Sequence, residues 1–97
     1  MEYRMAETRA KAVEPLENYN ILVTFDNGEK RIFDVKPYLE YPAYRELKIN
    51  ALFRTVKPAG LSIEWIHGQD ICPDELYFKS VPVNKSDKNQ NIKNESK

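Results

Sequence analysis

One stretch of the chain, residues 19 to 35, restricts the fold more than any other because it has the pattern of a β-hairpin. Apolar and polar residues alternate on both sides of the triplet Asp26-Asn27-Gly28, and a period of two is typical of strands with one buried face. Asn-Gly between two such runs is the strongest short-range hairpin signal. The sequence therefore predicts two antiparallel strands that are joined at this triplet.

Two loop lengths fit the triplet, and each sets a different register. A two-residue type I′ loop at Asn27-Gly28 places Ile21 opposite Asp34, which mixes charge into the apolar face. A three-residue loop with Gly28 in a left-handed bulge places Ile21 opposite Phe33 instead. We expect the second register, because it gathers six apolar side chains on one face: Tyr19, Ile21, Val23, Phe25, Phe33 and Val35. The sheet then has one well-buried face and a partly covered back, which carries Leu22 and Ile32.

Two further patterns extend this hairpin into a sheet. Residues 9 to 15 predict a strand that ends at Pro15 and lies beside the first strand of the hairpin. Residues 55 to 65 predict a second hairpin with its turn at Pro58-Ala59-Gly60, followed by a half-buried strand in which Leu61, Ile63 and Trp65 alternate with polar residues.

Short helical turns are predicted where proline or a capping residue begins a new pattern. Pro37 suits the first turn of a helix that Asp34 caps, Asn50 suits the cap of another, and Pro73 begins a third with acidic residues in its first turn. Pro42 interrupts the first of these. The predicted fold class is α+β, with a small, mainly antiparallel β-sheet built on two hairpins and two or three short helical turns.

The length of 97 residues allows one domain. We expect a flexible N-terminus over residues 1–8, a single α+β domain over residues 9–83 and a disordered polar tail over residues 84–97. The tail contains one apolar residue and cannot offset the entropy of ordering it.

Composition excludes several classes of function. Lys plus Arg and Asp plus Glu both number 15, so the net charge is zero and gives no reason to expect direct binding to nucleic acid. The single cysteine excludes an internal disulfide, and the N-terminus lacks the apolar run of a signal peptide. No stretch approaches the roughly 20 apolar residues that span a bilayer. We therefore expect a cytoplasmic protein without membrane association.

One group of candidate partner-binding residues is Trp65, His67 and Asp70. A tryptophan beside polar turn residues is a common anchor of protein interfaces. For Trp65 the alternative is a position in the core or at its edge, and for Asp70, as for Asp34, it is capping of the backbone amides that follow.

A second group consists of tyrosines. Tyr38 and Tyr41 recur with Tyr44 at every third residue. This spacing predicts either a tyrosine-lined binding surface for a partner or simple packing around the irregular segment.

Cys72 and His67 are the candidate catalytic residues. A thiol at the start of a helix has a lowered pKa, and a histidine nearby could serve as its base. Asp74 and Glu75 oppose formation of the thiolate, and a lone cysteine is also a common buried hydrophobe. The sequence shows no ligand spacing for zinc and no glycine-rich phosphate loop, so we expect neither a metal nor another cofactor. Five carboxylates that could approach a hard cation each suit a turn or a cap: Asp26, Asp34, Asp70, Asp74 and Glu75.

Several segments together resemble DUF2442, a family of small bacterial domains of unknown function. The resemblance covers about residues 11 to 78. It rests on the central hairpin, on Leu47 with Ala51-Leu52-Phe53, and on Ile63-Glu64-Trp65 followed by Gly68, Asp70, Pro73, Asp74, Glu75 and Leu76.

The resemblance implies a small α+β domain with a mainly antiparallel sheet. Some relatives carry this domain in front of a helix-turn-helix domain that binds DNA, and some are encoded beside another small domain in arrangements that look like toxin and antitoxin pairs. This sequence does not include the helix-turn-helix part, so we expect no direct DNA binding. No catalytic residues are established for the family, so the resemblance assigns none.

Two hypotheses follow. The first is an interaction module, regulatory or antitoxin-like, that uses the apolar back of its sheet to bind a partner protein, either the product of a neighbouring gene or a second copy of the chain. The second is a small thiol-dependent enzyme that uses Cys72 with His67.

Overall fold

A computed structural model describes residues 8–83. The predicted tail and all but the last residue of the predicted flexible N-terminus lie outside this range. Within this range the chain forms six strands: β1 (Ala10–Pro15), β2 (Asn20–Phe25), β3 (Lys30–Asp34), β4 (Lys57–Ala59), β5 (Ser62–Glu64) and β6 (Val81–Pro82). It also forms two short α-helices, α1 (Asn50–Phe53) and α2 (Pro73–Phe78), and three 3-10 segments, Glu17–Tyr19, Lys36–Glu40 and Pro42–Lys48. The predicted α+β class is confirmed.

The central hairpin has the predicted three-residue loop. Gly28 has a φ of +94°, and its N–H donates to the carbonyl of Phe25 at 2.9 Å, as in a type I turn followed by a left-handed bulge. Ile21 therefore lies opposite Phe33, as predicted. The Asn27 side chain accepts the Glu29 N–H at 3.0 Å, which explains why asparagine suits this loop.

The hairpin lies at the centre of a four-stranded antiparallel sheet with the order β1-β2-β3-β6. The prediction that residues 9 to 15 pair with β2 is confirmed, with Val13 directly opposite Val23. Strand β6 has no counterpart among the predicted strands. It has only two residues and pairs with β3, placing Val81 opposite Ile32.

The second hairpin forms a separate two-stranded sheet, and its turn differs from the predicted one. Pro58 and Ala59 belong to β4, and Gly60 with Leu61 makes a two-residue loop in which Gly60 has a φ of +59°. The prediction failed because Pro58 is tolerated in an edge strand, which needs no outward N–H. Leu61 consequently lies exposed in the loop instead of inward in the strand, while Ile63 and Trp65 are buried as expected.

The helical segments occur near the predicted positions, although they are more numerous. Asp34 accepts the N–H of Lys36 at 2.9 Å and so supports the turn before Pro37, but the prediction of Asp34 as the cap was wrong, because the residue before the segment Lys36–Glu40 is Val35. The prediction of Asn50 as a cap was wrong, because α1 already includes Asn50 and the residue before it is Ile49. Helix α2 begins at Pro73, with Asp74 and Glu75 in its first turn, as predicted.

The core lies between one face of the large sheet and the helical segments. Its fully buried side chains come from both the sheet and the segments that cover it, and the largest are Trp65, Phe25, Phe33 and Phe53. The opposite face, which we call the back face, carries Ala12, Glu14, Asn20, Leu22, Thr24, Lys30, Ile32, Asp34 and Val81. None of these nine residues is buried. No helix in the described part of the chain is long and apolar enough to cross a membrane.

Candidate functional site

The tyrosine run forms one side of a cleft. Tyr38, Tyr41 and Tyr44 lie in or between the two 3-10 segments Lys36–Glu40 and Pro42–Lys48, each of which has proline in its first turn. Tyr41 lies at the break between the two segments and has extended backbone, with φ −85° and ψ 139°, so no continuous helical period of three runs through the three tyrosines. All three nevertheless line the same cleft. The rings of Tyr38 and Tyr44 are 5.6 Å apart between centroids.

This tyrosine cleft has a volume of about 440 Å³. Its lining includes the three tyrosines, Phe33, Glu75 and Lys79. Asp34 and Pro37 complete the lining at the end of β3. Tyr41 is 60 % exposed, whereas Tyr38 and Tyr44 are half-buried, so the cleft has a packed floor and an open wall. The structure therefore brings the candidates Tyr38 and Tyr41 together.

Glu75 of α2 is the polar centre of the cleft. The Tyr38 hydroxyl donates to Glu75 Oε1 at 2.6 Å. This hydrogen bond lowers the pKa of Glu75 below its ordinary value, so the carboxylate is charged at neutral pH. Burial and the adjacent Glu75 carboxylate raise the pKa of Tyr38 well above its ordinary value. Lys79 approaches Glu75 Oε2 from the solvent side at 3.6 Å. Sequence reasoning missed Glu75 as a site residue, because its acidic side chain near a helix start has a sufficient local explanation.

Asp70 contributes its backbone to the neighbourhood of the cleft. The Tyr44 hydroxyl donates to the Asp70 carbonyl at 2.7 Å. Burial, together with the nearby Asp70 and Glu75 carboxylates, raises the pKa of Tyr44. Asp70 thus helps to orient the third tyrosine of the run, and its exposed carboxylate lies outside the cleft lining.

His67 lies in a different cluster. Its Nδ1 atom is 2.6 Å from Glu46 Oε2, and the Gln69 side-chain amide donates to the same oxygen at 2.7 Å. These two contacts lower the pKa of Glu46. The cluster joins the turn after β5 to the segment Pro42–Lys48, and it does not include Trp65.

Trp65 belongs to the core. Its exposed fraction is 0 %, and its indole N–H donates to the Phe53 carbonyl at 2.9 Å. The indole therefore offers no surface to a partner, and the alternative of a core position describes it. The predicted rim of Trp65, His67 and Asp70 is not assembled as one surface.

The structure gives the two candidate catalytic residues different surroundings. Cys72 is exposed at the residue before α2 and lines a depression beside the β4–β5 hairpin, while the His67 ring bonds to Glu46. Within residues 8–83, no hydrogen bond links Cys72 to His67. The same range holds no group of three His, Cys, Asp or Glu side chains that could bind a metal. Asp26, for example, accepts the Arg9 N–H at 3.2 Å at the base of the central hairpin.

A second tyrosine and glutamate pair lies on the other side of α2, and it already contains a cation. The Tyr77 hydroxyl donates to both carboxylate oxygens of Glu29, at 2.9 and 2.8 Å. The guanidinium of Arg31 lies over the Tyr77 ring, 4.4 Å from its centroid, and donates to Glu29 Oε1 at 2.9 Å. Arg31 also donates to the hydroxyl and the carbonyl of Ser80, at 2.7 and 2.9 Å. We call these four residues the arginine cluster.

The arginine cluster gave no signal in the sequence, because Arg31 and Ser80 are 49 residues apart. The alternation in β3 predicts only that Arg31 shares a face with Phe33. The surroundings that make this face suitable for a guanidinium come from α2 and the residues after it.

Comparison with known families places the fold beside a family of uncharacterised proteins. The model of a family described as "Protein of unknown function (DUF2442)" matches residues 10–82, which include every strand of the fold. No curated protein and no solved structure matches the chain.

Proposed function

The chain belongs to the DUF2442 family, and on that premise we propose that it is a non-enzymatic protein-interaction module that binds a partner protein through the back face of its large sheet. The partner in this proposal is the product of a neighbouring gene or a second copy of the chain. In the cell this binding would have a regulatory or antitoxin-like role, because such a protein acts by binding its partner.

The observation that carries the proposal is a row of three apolar side chains on the back face. Leu22 lies opposite Ile32, and Ile32 lies opposite Val81, so the row runs across three adjacent strands. Val81 is 64 % exposed, and Leu22 and Ile32 are half-buried without belonging to the core cluster or to the residues packed against it. Contiguous apolar patches on soluble proteins are often interaction sites, and this row is our reason for choosing the back face.

Charged residues surround the apolar row. Glu14 lies opposite Leu22 on the outer side, and Lys30 and Asp34 precede and follow Ile32 on the same face of β3. An apolar centre with a polar rim is the usual arrangement of a protein interface. The charges favour a partner whose own rim carries the opposite pattern.

Prolines at the strand edges favour the face over the edges as the contact. The Val83 N–H donates to the Lys30 carbonyl at 2.9 Å, so by the alternation of antiparallel pairing the backbone of Pro82 points away from β3. Proline has no N–H to offer an added strand there. Pro15 ends β1 and Pro58 lies within β4. Such prolines protect edges from strand addition, which leaves the face for a partner.

The test compares two substitutions at equally exposed positions. Val81→Glu places a charge in the apolar row, and Ile66→Glu, at a residue that is 62 % exposed in a turn, is the matched control. Affinity capture from the native host is combined with light scattering on the pure protein. We expect a stoichiometric partner or a homodimer with an interface of more than about 1,000 Å². Val81→Glu should raise the dissociation constant of this complex by about tenfold or more, which corresponds to about 1.4 kcal/mol, and the control Ile66→Glu should leave it unchanged.

The opposite results would contradict the proposal. A wild-type protein that is monomeric and captures nothing in stoichiometric amount has no partner to bind. A complex that survives Val81→Glu as well as it survives Ile66→Glu uses another surface. Circular dichroism of both variants checks that the substitutions leave the fold unchanged.

A further inference from the structure

The arginine cluster shows what a pair of tyrosine and glutamate side chains binds in this protein. In it, the tyrosine hydroxyl donates to the carboxylate, the guanidinium covers the ring face, and the guanidinium donates to the same carboxylate. The side chain of Arg31 is 14 % exposed, so the cation is almost enclosed. A planar guanidinium suits this position because it stacks on an aromatic ring and forms directed hydrogen bonds to a carboxylate at the same time.

The tyrosine cleft repeats the hydrogen bond between tyrosine and glutamate without a guanidinium, and the Tyr38 ring packs against the rings of Phe33 and Tyr44, each at 5.6 Å between centroids. Tyr38 donates to Glu75 as Tyr77 donates to Glu29. Two further tyrosine rings line the cleft, so it has more aromatic surface than the arginine cluster has. The ring faces carry negative potential and attract cations. Of the charged side chains in the lining, two are carboxylates, Asp34 and Glu75, and one is an ammonium, Lys79.

We propose that the tyrosine cleft binds the guanidinium of an arginine side chain that a partner protein presents. In the bound state, the guanidinium lies against the ring of Tyr38, donates to Glu75 and is covered from the open side by Tyr41. This inference goes beyond the apolar row as a contact surface, and a small probe tests it without any partner.

Two lysines near the cleft, Lys36 and Lys79, affect the affinity for a guanidinium because they can compete for the same carboxylates. Lys36 is held by Asp34 at 3.0 Å and by the Asn18 carbonyl at 2.9 Å, so it is already paired. Lys79 competes for Glu75, but its side chain is 62 % exposed and its contact of 3.6 Å is an exposed pair of the kind that contributes little. An incoming guanidinium displaces this ammonium, which costs part of the affinity. Removing Lys79 should therefore strengthen binding.

The probe is arginine with an acetylated α-amino group and a methylamide in place of its carboxyl group, which mimics a residue within a chain. Titration into the full-length protein, followed by NMR shifts of backbone amides, should give saturable binding with a dissociation constant of about 1 to 10 mM, as expected for one side chain in an open cleft. The citrulline analogue has nearly the same shape without the charge and should bind at least about tenfold more weakly. The lysine analogue should also bind more weakly, because an ammonium cannot stack.

Four variants locate the site. Tyr41→Ala and Glu75→Gln should each weaken binding of the arginine probe by about fivefold or more, and Lys79→Met should strengthen it by about threefold. Tyr41 is largely exposed, so its removal leaves the fold intact. Ile49→Ala is the control, since Ile49 is 57 % exposed and lies outside the lining of the cleft. It should leave the affinity unchanged.

Three results would overturn the inference. Equal binding of arginine and citrulline analogues would show that the charge is not recognised. Unchanged affinity in Tyr41→Ala would show that the cleft is not the site. Free L-arginine binding tenfold more tightly than the blocked probe would assign the cleft to the free amino acid rather than to a protein side chain. Each of these results leaves the outcome of the Val81→Glu experiment untouched, so failure here is distinguishable from failure of the sheet face as an interface.

Discussion

The two pairs of tyrosine and glutamate in this domain have the same chemistry and different surroundings. Tyr77 and Glu29 enclose Arg31, which joins β3 to the segment between α2 and β6. Tyr38 and Glu75 join the segment Lys36–Glu40 to α2 and face an open cleft. The difference lies in what the fold places over the ring. A guanidinium from a neighbouring strand turns the first pair into a structural link. In the second pair, the rings of Phe33 and Tyr44 pack against Tyr38, and the cleft beside Glu75 is open, which is the basis for the proposed binding of an external guanidinium.

Arg31→Ala should have the largest effect. It removes the contact with the Tyr77 ring and hydrogen bonds to Glu29 and Ser80, and it leaves the Glu29 carboxylate without its cation. We expect the free energy of unfolding to fall by about 3 kcal/mol, measured by urea denaturation. Arg31→Lys should recover less than half of this loss in the free energy of unfolding, because an ammonium cannot reproduce the planar set of donors of a guanidinium.

Arg45→Ala is the control for this comparison. Arg45 is exposed, and within residues 8–83 its side chain makes one hydrogen bond, to the Glu40 carbonyl at 3.2 Å. It should change the free energy of unfolding by about 0.5 kcal/mol or less. If Arg31→Ala also lowers the free energy of unfolding by only about 0.5 kcal/mol or less, the arginine cluster is not a structural link. The comparison between the cluster and the tyrosine cleft then loses its basis.

Removing the hydroxyl of Tyr77 and that of Tyr38 should reduce stability by different amounts. Tyr77→Phe should cost about 1.5 kcal/mol, since two contacts to Glu29 are lost beside a nearly enclosed guanidinium. Tyr38→Phe should cost about 0.5 to 1 kcal/mol, since Glu75 can turn to water and to Lys79. A double-mutant cycle of Tyr77 with Arg31 should show coupling of about 1 kcal/mol, and the cycle of Tyr38 with Lys79 should be additive. Equal coupling in the two cycles would contradict the distinction.

Acid sensitivity should follow the two glutamates. Hydrogen bonding to Tyr77, followed by the hydrogen bond and charge of Arg31, lowers the pKa of Glu29 from its ordinary value of 4.5. Because the pKa is lower in the folded state, the unfolded chain takes up the proton first, so this stabilisation is complete above about pH 4.5 and is lost as the pH falls through the folded value. Glu29→Gln should therefore flatten the decline of the urea midpoint below about pH 4.5.

Glu75→Gln should act in the same direction and to a smaller extent, because Glu75 lacks an enclosed cation partner. Unfolding curves at a series of acidic pH values for both variants give the comparison. An acid limb that is unchanged in Glu29→Gln would show that the lowered pKa of Glu29 does not contribute to stability.

Lys79→Ala should have the smallest effect on stability. Its exposed pair with Glu75, four residues earlier on α2, should contribute about 0.3 kcal/mol or less, and this contribution should decrease with added salt. A loss above about 1 kcal/mol would indicate that Lys79 holds the cleft together as Arg31 holds its cluster, and that the cleft is therefore already occupied.

The sequence alone determined the parts of this protein that depend on neighbouring residues. Asp26-Asn27-Gly28 has the chemistry of a three-residue loop, and the alternation on both sides leaves one register that buries an apolar face, so the hairpin and the pairing of Ile21 with Phe33 were predictable. The tyrosine spacing was equally visible. The cleft itself was not visible in the sequence, because Tyr41 is extended between two 3-10 segments and only their packing places the three tyrosines in one lining.

Only the tertiary structure decided which residues meet across the chain. Strand β6 has only two residues, which are too few to specify a strand by themselves. It forms because the edge of β3 is available for pairing. Trp65 and His67 are two residues apart, yet one lies in the core and the other on the surface. Glu75 becomes part of a site through its hydrogen bond with Tyr38, and Arg31 through its contact with the Tyr77 ring. Both tyrosines are distant from these residues in the sequence. Local patterns determine which face of an element is apolar, and packing determines which polar groups that face brings together.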